Sequence, residues 1–172
     1  MAGKLQQELQ QTKAIPSLEE EAILNIVRTA DVLLQSITSF LKPHNLSATQ
    51  YNVLRILRGA GEKGVSCKDV AARLVTRDPD ITRLMDRLEE RDLILRDRSR
   101  EDRRIVTHRL TATGTSLVNE LDRPIVEANK HMLMGIKPAR LQELVDVLEQ
   151  VRINLENEAK TGLPPRPSEK RN

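Results

Sequence analysis

Aromatic side chains are nearly absent from this sequence, which has one Phe, one Tyr and no Trp among 172 residues. The chain therefore has little to stack on a nucleobase, and its core must be aliphatic. Cysteine is equally scarce, and the single thiol of Cys67 excludes an internal disulfide framework and fits a reducing cytoplasm. No run of about 18 uncharged apolar residues occurs, so the sequence predicts no membrane span. The N-terminus lacks the apolar stretch of a secretory signal. We expect a cytoplasmic protein.

Catalytic and metal-binding motifs are also missing. The three histidines, His44, His108 and His131, are scattered without metal-ligand spacing. Neither a phosphate-cradling Gly-rich loop nor an HExxH-type motif is present. We therefore expect no enzyme activity, no metal and no cofactor. A nucleophile built from Cys67 and a histidine would need a spatial pairing that sequence does not reveal.

Charged residues are plentiful but nearly balanced, with 28 Lys and Arg against 25 Asp and Glu and a formal net charge of +3. So small an excess does not indicate nucleic acid by itself, and the distribution of charge has to decide. The segment RDRSREDRR, residues 96–104, holds five arginines in nine positions. Like charges on a turn do not favour folding, whereas the narrow minor groove of DNA attracts arginine without base stacking. This cluster favours a DNA contact; the alternative is a solvated charged face.

Capping signals and apolar periodicity predict a mainly α-helical chain with a small β-hairpin. The box-like starts SLEE, SATQ and SCKD place helix caps at Ser17, Ser47 and Ser66. A further helix follows the turn TRDP, with Asp78 as cap and Pro79 at its first position. Two strand candidates, residues 93–96 and 104–110, are joined by the arginine-rich tip.

Two short helices, a tight turn and a hairpin in this order make a winged helix-turn-helix. The second short helix has one apolar face, formed by Ile81, Leu84, Met85 and Leu88. Burial of that face turns the polar residues outward: Pro79, Arg83, Asp86 and Glu90, with Thr82 and Arg87 on the flanks. Such a helix fits the major groove, where arginine can bond guanine through two hydrogen bonds. The alternative is an amphipathic helix with ordinary surface charges.

Long helices flank this lobe. The first carries broad apolar stripes, which bury against more than one surface. The last has apolar residues at spacings of three and four, a seam against which a partner helix packs: Leu141, Leu144, Leu148, Val151 and Leu155.

Four segments, LSATQYNVLRILR, VSCKDVAARL, DITRLMDRLEERDLILR and SREDRRIVTHRLTATG, together resemble the MarR family of bacterial transcription regulators. The family's wing pattern is an acidic residue and arginines followed, after a strand, by Leu-Thr and a nearby Gly. Here the matching residues are Asp102, Arg103, Arg104, Leu110, Thr111 and Gly114. The matching motifs run from about residue 46 to 114, and the flanking helices fit the family's plan.

The resemblance implies a homodimer that binds double-stranded DNA at a pseudo-palindromic operator, more often as a repressor than as an activator. It implies an N-terminal arm (1–16), a helical dimerisation domain (17–45 and 112–159), a DNA-binding domain (46–111) and a disordered tail (160–172). The interface residues would be Ile23, Ile26, Leu144, Leu148, Val151 and Leu155.

The same resemblance assigns the DNA contacts by position. Groove contacts would come from Arg77, Asp80, Thr82, Arg83 and Arg87. Wing contacts would come from Arg98, Arg100, Arg103 and Arg104, with Asp102 bracing the wing, and phosphate contacts from Ser66 and Lys68. The segment RDPD departs from the family, where many members have small hydroxyl residues, so base preference does not transfer there. Asp80 would repel phosphate unless it meets a cytosine amine or an arginine.

Many family members respond to a small aromatic or phenolic effector between the dimer domain and the DNA lobe. The corresponding residues here are Leu34, Thr38, His44, Gln50 and Tyr51; the alternative makes Tyr51 a core residue and His44 a loop residue. Cys67, in a helical first turn beside Lys68, is a candidate redox switch or a small packing residue. A helical protein-interaction module without DNA binding is the remaining alternative.

Overall fold

The computed structural model describes residues 4–76, 78–98 and 106–161. The chain forms two compact units, the first ending at Asp122 and the second beginning at Arg123. The elements, in chain order, are helices α1 (Lys4–Glu8), α2 (Leu18–Leu41) and α3 (Ala48–Ala60), strand β1 (Val65–Ser66), helices α4 (Cys67–Arg73) and α5 (Ile81–Glu90), strands β2 (Ile94–Arg98) and β3 (Val106–Leu110), and helices α6 (Ala112–Met132) and α7 (Pro138–Thr161). Short 3-10 turns, Lys42–His44 and Gly61–Lys63, follow α2 and α3.

Serine caps start three of these helices, as the sequence predicted. The Ser17 hydroxyl accepts a hydrogen bond from the Glu20 backbone N–H at 3.1 Å. Ser47 and Gln50 form a complete capping box at the start of α3, with backbone-to-side-chain distances of 3.1 and 3.0 Å. Ser66 caps α4 by accepting from the Asp69 N–H at 3.1 Å. Each cap satisfies backbone donors that the first turn of a helix leaves free.

The core of the first unit is aliphatic, as the scarcity of aromatics required. The largest fully buried side chains come from several helices and one strand: Leu41, Val53, Leu54, Leu57, Val70, Met85, Leu88, Ile94, Val118 and Leu121. Burying one such side chain stabilises a fold by roughly 1.5–3 kcal/mol. Leu5 of α1 is also buried, so part of the predicted N-terminal arm is packed.

The start of α5 corrects one expectation. Pro79 is not at the first helical position, because Pro79 and Asp80 form a turn and the helix begins at Ile81. The Asp78 carboxylate accepts a hydrogen bond from the Asp80 N–H at 2.9 Å, and Asp80 takes the cap position without a side-chain capping bond. This local Asp turn competes with helix formation and delays the start of α5 by two residues.

The three strands form one antiparallel sheet in the order β1-β3-β2. Strand β3 pairs with β2 from Ile94 opposite Leu110 to Arg98 opposite Val106, which confirms the predicted hairpin strands. The hairpin tip, residues 99–105, lies outside the described residues. Strand β1, which pairs Val65 with His108, was not predicted because two residues are too few to show a period.

The hairpin joins α6 through a close backbone contact. The Thr111 hydroxyl donates to the Asp92 carbonyl at 2.7 Å and accepts from the Gly114 N–H at 2.8 Å, so Thr111 caps α6. A Cβ atom at Gly114 would overlap the Leu93 carbonyl group. This position therefore requires glycine because the two backbones lie too close for a side chain.

Two arginines form hydrogen bonds that connect elements within the first unit. Arg58 of α3 donates to the Asp122 carboxylate and, at 3.2 Å, to the Asn119 amide oxygen of α6. Arg91, at the end of α5, donates to the Asn45 and His44 carbonyls at 2.6 and 3.1 Å. Asn45 has a φ of 53°, a left-handed conformation that asparagine tolerates. The end of α5 is thereby attached to the turn that follows α2.

The second unit contains the long helix α7, in which no residue is fully buried. Several of its large apolar side chains are exposed: Leu144, Val145, Val147, Ile153 and Leu155. Helix α7 continues to Thr161, and residues 162–172 lie outside the described residues. In the described part of the chain, no helix combines the length and apolarity needed to cross a bilayer.

Replacing Gly114 by Ala should lower the free energy of unfolding by about 1–3 kcal/mol, because the added methyl group forces Leu93 away from α6. The measurement is urea unfolding followed by circular dichroism. Gly59→Ala is the matched control, since nothing lies within 4 Å of a Cβ there. Gly59 lies inside α3, where alanine should add about 0.5–1 kcal/mol. Equal stabilities of the two variants would contradict the close contact at Gly114.

Candidate nucleic-acid interface

The rotation of α5 about its axis is set by its buried face. Leu84, Met85 and Leu88 are 8%, 1% and 0% exposed, respectively. Because these residues share one side of the helix, the polar side chains point to solvent. Arg83 is exposed on the predicted outward face, and Thr82 and Arg87 are exposed on its flanks. Asp86, also predicted to point outward, is instead half-buried against Arg96. The chain thus presents a short helix with two exposed arginines, Arg83 and Arg87.

A polar groove of about 220 Å³ lies at the N-terminal end of this helix. Its lining combines residues of α3 and its cap with residues of α5 and the preceding turn: Ser47, Gln50, Asp78, Asp80, Arg83, Leu84 and Arg87. Asp80 lies 4.0 Å from Arg83, and both side chains are more than half exposed. Asp80 therefore has an arginine as its neighbour, although an ion pair this exposed contributes little.

The start of α4 contributes one free cation and one engaged hydroxyl. Ser66 uses its hydroxyl both to cap the Asp69 N–H and to donate to the Asp69 carboxylate at 2.7 Å. Its only hydroxyl proton is therefore already committed. Lys68 is exposed beside it. Cys67 is half-buried at the first position of α4, and the sequence offers no second thiol for a disulfide within the chain.

Arg96 of β2 makes contacts that the sequence did not reveal. Its guanidinium donates to the Asp86 carboxylate of α5 at 2.6 Å and lies 3.5 Å from the Glu89 carboxylate. Its Nε also approaches Nε2 of His108 on β3, at 3.4 Å. In the sequence, Arg96 is grouped with the arginine-rich segment 96–104, whereas the structure places its side chain between α5 and the sheet.

His108 lies at the centre of the sheet and is only 3% exposed. Its Nδ1 is buried without a hydrogen-bond partner of normal geometry. Burial lowers the pKa of His108, and the neighbouring Arg96 charge lowers it further, while the Val65 backbone and the nearby carboxylates act in the opposite direction. The ring is therefore held neutral.

A second arginine, Arg109, closes the hairpin on the other face. Its Nε donates to the Asp97 carboxylate at 2.5 Å across the two strands. This hydrogen bond raises the pKa of Arg109 above its usual value. The two stem arginines thus have different partners: Arg96 contacts the helix, and Arg109 contacts only the neighbouring strand among the described residues.

Most of the predicted wing contacts lie outside the described residues. These are Arg100, Arg103 and Arg104, together with the bracing residue Asp102. The predicted groove contact Arg77 also lies outside the described residues. Arg98 is the last residue of β2, opposite Val106. Its side chain is not among the described ones. The DNA contacts assigned to all of these residues remain predictions.

The five candidate effector residues have different surroundings. Tyr51 is a buried residue of α3, its ring centre lies 5.9 Å from the Arg55 guanidinium carbon, and burial raises its pKa. Leu34 and Thr38 are exposed on α2, and His44 is half-buried in the turn held by Arg91. Only Gln50 lines the groove described above. An effector pocket at these positions remains a prediction.

The predicted interface residues of α2 and α7 are open to solvent to a large degree. Ile23, Leu144 and Leu155 are 51%, 47% and 59% exposed. Ile26, Leu148 and Val151 are half-buried. In the described residues, no group of three or more His, Cys, Asp or Glu side chains is placed to hold a metal ion.

Comparison with known proteins decides the family. The model of the MarR family matches residues 46–106. The transcriptional regulator TtmR of Methylorubrum extorquens is 31% identical over 152 residues, which cover 86% of this chain and 74% of that protein. The chain belongs to the MarR family. The homoprotocatechuate degradative operon repressor of Escherichia coli is 25% identical over 147 residues, or 86% of this chain and 97% of that protein.

Solved structures agree with the MarR fold. A MarR transcription factor from Planctomyces limnophilus is 38% identical, with a TM-score of 0.61 and coverage of 79% of this chain and 98% of that one. CouR from Rhodococcus jostii RHA1, crystallised with p-coumaroyl-CoA, is 27% identical, with a TM-score of 0.67 over 80% and 95% of the chains. The MepR–DNA complex of S. aureus, at 19% identity and a TM-score of 0.70 over 81% and 99%, shares the fold. The chain is thus a DNA-binding transcription regulator rather than an enzyme.

Because the pKa of His108 is lowered in the folded state, the unfolded chain binds more protons than the folded chain below about pH 6.5. The free energy of unfolding should therefore fall as the pH decreases from 7.5 to 5.5. Chemical unfolding at several pH values measures this slope. His108→Gln should flatten it, whereas His131→Gln, at an exposed position of α6, should keep it. Equal slopes in all three proteins would contradict a neutral buried His108.

Proposed function

We propose that this MarR-family chain is a repressor that binds a pseudo-palindromic duplex operator as a homodimer. Each α5 would enter a major groove, with half-sites about one helical turn, or roughly 34 Å, apart. The observation that carries the proposal is the orientation of α5, whose apolar face is buried while Thr82, Arg83 and Arg87 face solvent.

The contacts divide by chemistry. Arginine can donate two hydrogen bonds to one guanine, so Arg83 and Arg87 would read bases, and Thr82 would meet a base or a phosphate. Lys68, exposed at the start of α4, would bind phosphate, and Ser66 stays a weaker candidate because its hydroxyl proton is engaged. Arg77 and Asp80 would flank the groove. The wing arginines Arg98, Arg100, Arg103 and Arg104 would reach neighbouring minor grooves, with Asp102 bracing them.

A second copy of the chain would cover the exposed apolar residues of α2 and α7. The large apolar side chains exposed on each of these two long helices support this proposal, because a monomer rarely leaves so many in water. The spacing of three and four along α7 suits packing against another helix. Pairing would also hold two copies of α5 at a fixed separation, which a palindromic operator requires.

Repression and its release extend the proposal. The E. coli relative is named as the repressor of a degradative operon, and occupancy of an operator can block polymerase. CouR was crystallised with p-coumaroyl-CoA, which supports a small aromatic or phenolic effector for this chain as well. Such an effector could act only by binding DNA-competent and DNA-incompetent dimers with different affinities.

Duplexes selected from a random pool test the DNA-binding proposal. The affinity for the selected duplex should fall about ten-thousandfold between 50 and 200 mM salt, because roughly eight phosphates release their counterions. Fluorescence anisotropy measures this. Arg83→Ala should weaken binding to the selected duplex more than to a scrambled one, whereas Lys68→Ala should weaken both equally. Absence of binding to any duplex at 50 mM salt would refute the proposal.

Replacing both Leu144 and Leu148 by Glu should convert the dimer into monomers that bind the operator poorly, since the charges cannot be buried against a second helix. Sedimentation velocity measures the assembly. The double variant Gln142→Glu/Gln150→Glu is the matched control, because it adds the same charge on the opposite side of α7. A dimer that survives the leucine substitutions would place the interface elsewhere.

A further inference from the structure

Arg96 is the residue whose contacts the DNA-binding proposal does not use. Its side chain is 35% exposed, and it lies between two carboxylates of α5 and the buried His108 of β3. Asp86 and Glu89 are three residues apart, so they lie on neighbouring positions of the same helix face. One guanidinium therefore links α5 to both strands of the hairpin.

We propose that Arg96 is a positioning residue for DNA binding. It fixes α5 against the three-stranded sheet of β1, β2 and β3, here called the wing sheet, and does not itself contact DNA. This inference rests on the proposed function, because it assumes that α5 and the wing bind one duplex together. The helix and the hairpin would have to enter adjacent grooves at a set angle. A shift of either element would spoil the fit of the other.

The contacts of Arg96 suit this role. Its Nη2 donates to Asp86 at 2.6 Å, while Nε faces Glu89 at 3.5 Å and His108 at 3.4 Å. A planar guanidinium with several fixed donors can hold acceptors on two elements simultaneously, which a lysine ammonium on a flexible chain cannot do. The sheet side of the contact is rigid, because His108 is buried and is paired with Arg96 in the strand register.

The apolar contacts of α5 do not by themselves fix its exact position against the sheet, and the contacts of Arg96 can fix it. Leu84, Met85 and Leu88 fix which face of the helix is buried, yet apolar contact is not directional. The hydrogen bond to Asp86 is directional, and this bond and the Glu89 ion pair both lie on the side of the helix next to the sheet. The single positive charge of Arg96 also offsets part of the negative charge of these two carboxylates.

The test compares Arg96→Gln with the matched control Arg109→Gln. Arg109 is the other arginine of the hairpin stem in an ion pair, but its partner Asp97 lies on the neighbouring strand and not on α5. Arg96→Gln should lower the affinity for the selected operator on the order of tenfold, while the affinity for a scrambled duplex changes little. Arg109→Gln should leave operator affinity close to wild type. Sedimentation and thermal unfolding check that each variant is a folded dimer.

Asp86→Asn changes the α5 partner in the same contact. It replaces Arg96→Gln as the test if that variant does not fold. It should lower operator affinity although it removes one negative charge from the helix proposed to enter the groove. Combined with Arg96→Gln, it should add little further loss, because both substitutions weaken the same contact. If Asp86→Asn binds the operator more tightly than wild type, the positioning role is overturned and only charge neutralisation remains.

Two further readouts separate positioning from direct contact. The slope of log affinity against log salt should be the same for Arg96→Gln and wild type, whereas loss of a phosphate contact in each subunit would reduce it by about two. The imidazole resonances of His108 should titrate at a higher pH in Arg96→Gln, since a repelling charge has gone. A reduced salt slope, or unchanged operator affinity in Arg96→Gln, overturns the inference. If wild type binds no duplex, the proposed function fails instead.

Discussion

The burial of one apolar face of α5 is the constraint on which the rest of this structure depends. Leu84, Met85 and Leu88 seat the helix in the core of the first unit, and this fixes the direction of every other side chain on it. Two arginines then face solvent, and two carboxylates face the sheet. A change in the rotation of α5 would bury charge, so the arrangement is maintained by the cost of desolvating it.

The wing sheet depends on that core in turn. Its strands are held by register, by the buried His108 and by the junction in which Thr111 caps α6 and Gly114 touches the Leu93 backbone. Through these contacts, α5, the hairpin and α6 form one continuous packed arrangement within the first unit. In the proposed DNA complex, such continuity would present the helix and the hairpin to one duplex as a unit.

Local signals in the sequence predicted the parts of this structure that local physics determines. Ser47 with Gln50 and Ser66 with Asp69 predicted helix starts, because a cap involves residues only three apart. The apolar period of α5 predicted its buried face for the same reason. The Asp78 turn was misread as a helix cap, since in both arrangements an aspartate accepts a hydrogen bond from the backbone N–H two residues on. The two residues of β1 gave no period to read.

Contacts between side chains far apart in the chain could not be predicted from the sequence. Arg96 stood among the arginines of residues 96–104, and nothing in that run distinguished it from its neighbours. Its contacts became visible only when the strand register placed it opposite His108 and the helix packing brought Asp86 within reach. Arg109 illustrates the same limit, because its partner Asp97 is defined by the hairpin and not by spacing.

The central claim is that α5 lies in the major groove of the operator. Methylation interference tests it directly, because dimethyl sulfate modifies guanine N7 in the major groove and adenine N3 in the minor groove. The account predicts that bound duplexes exclude N7-methylated guanines at two clusters centred about 10 base pairs apart. Binding that tolerates every N7 methylation, and is blocked only by modified adenines, would contradict it.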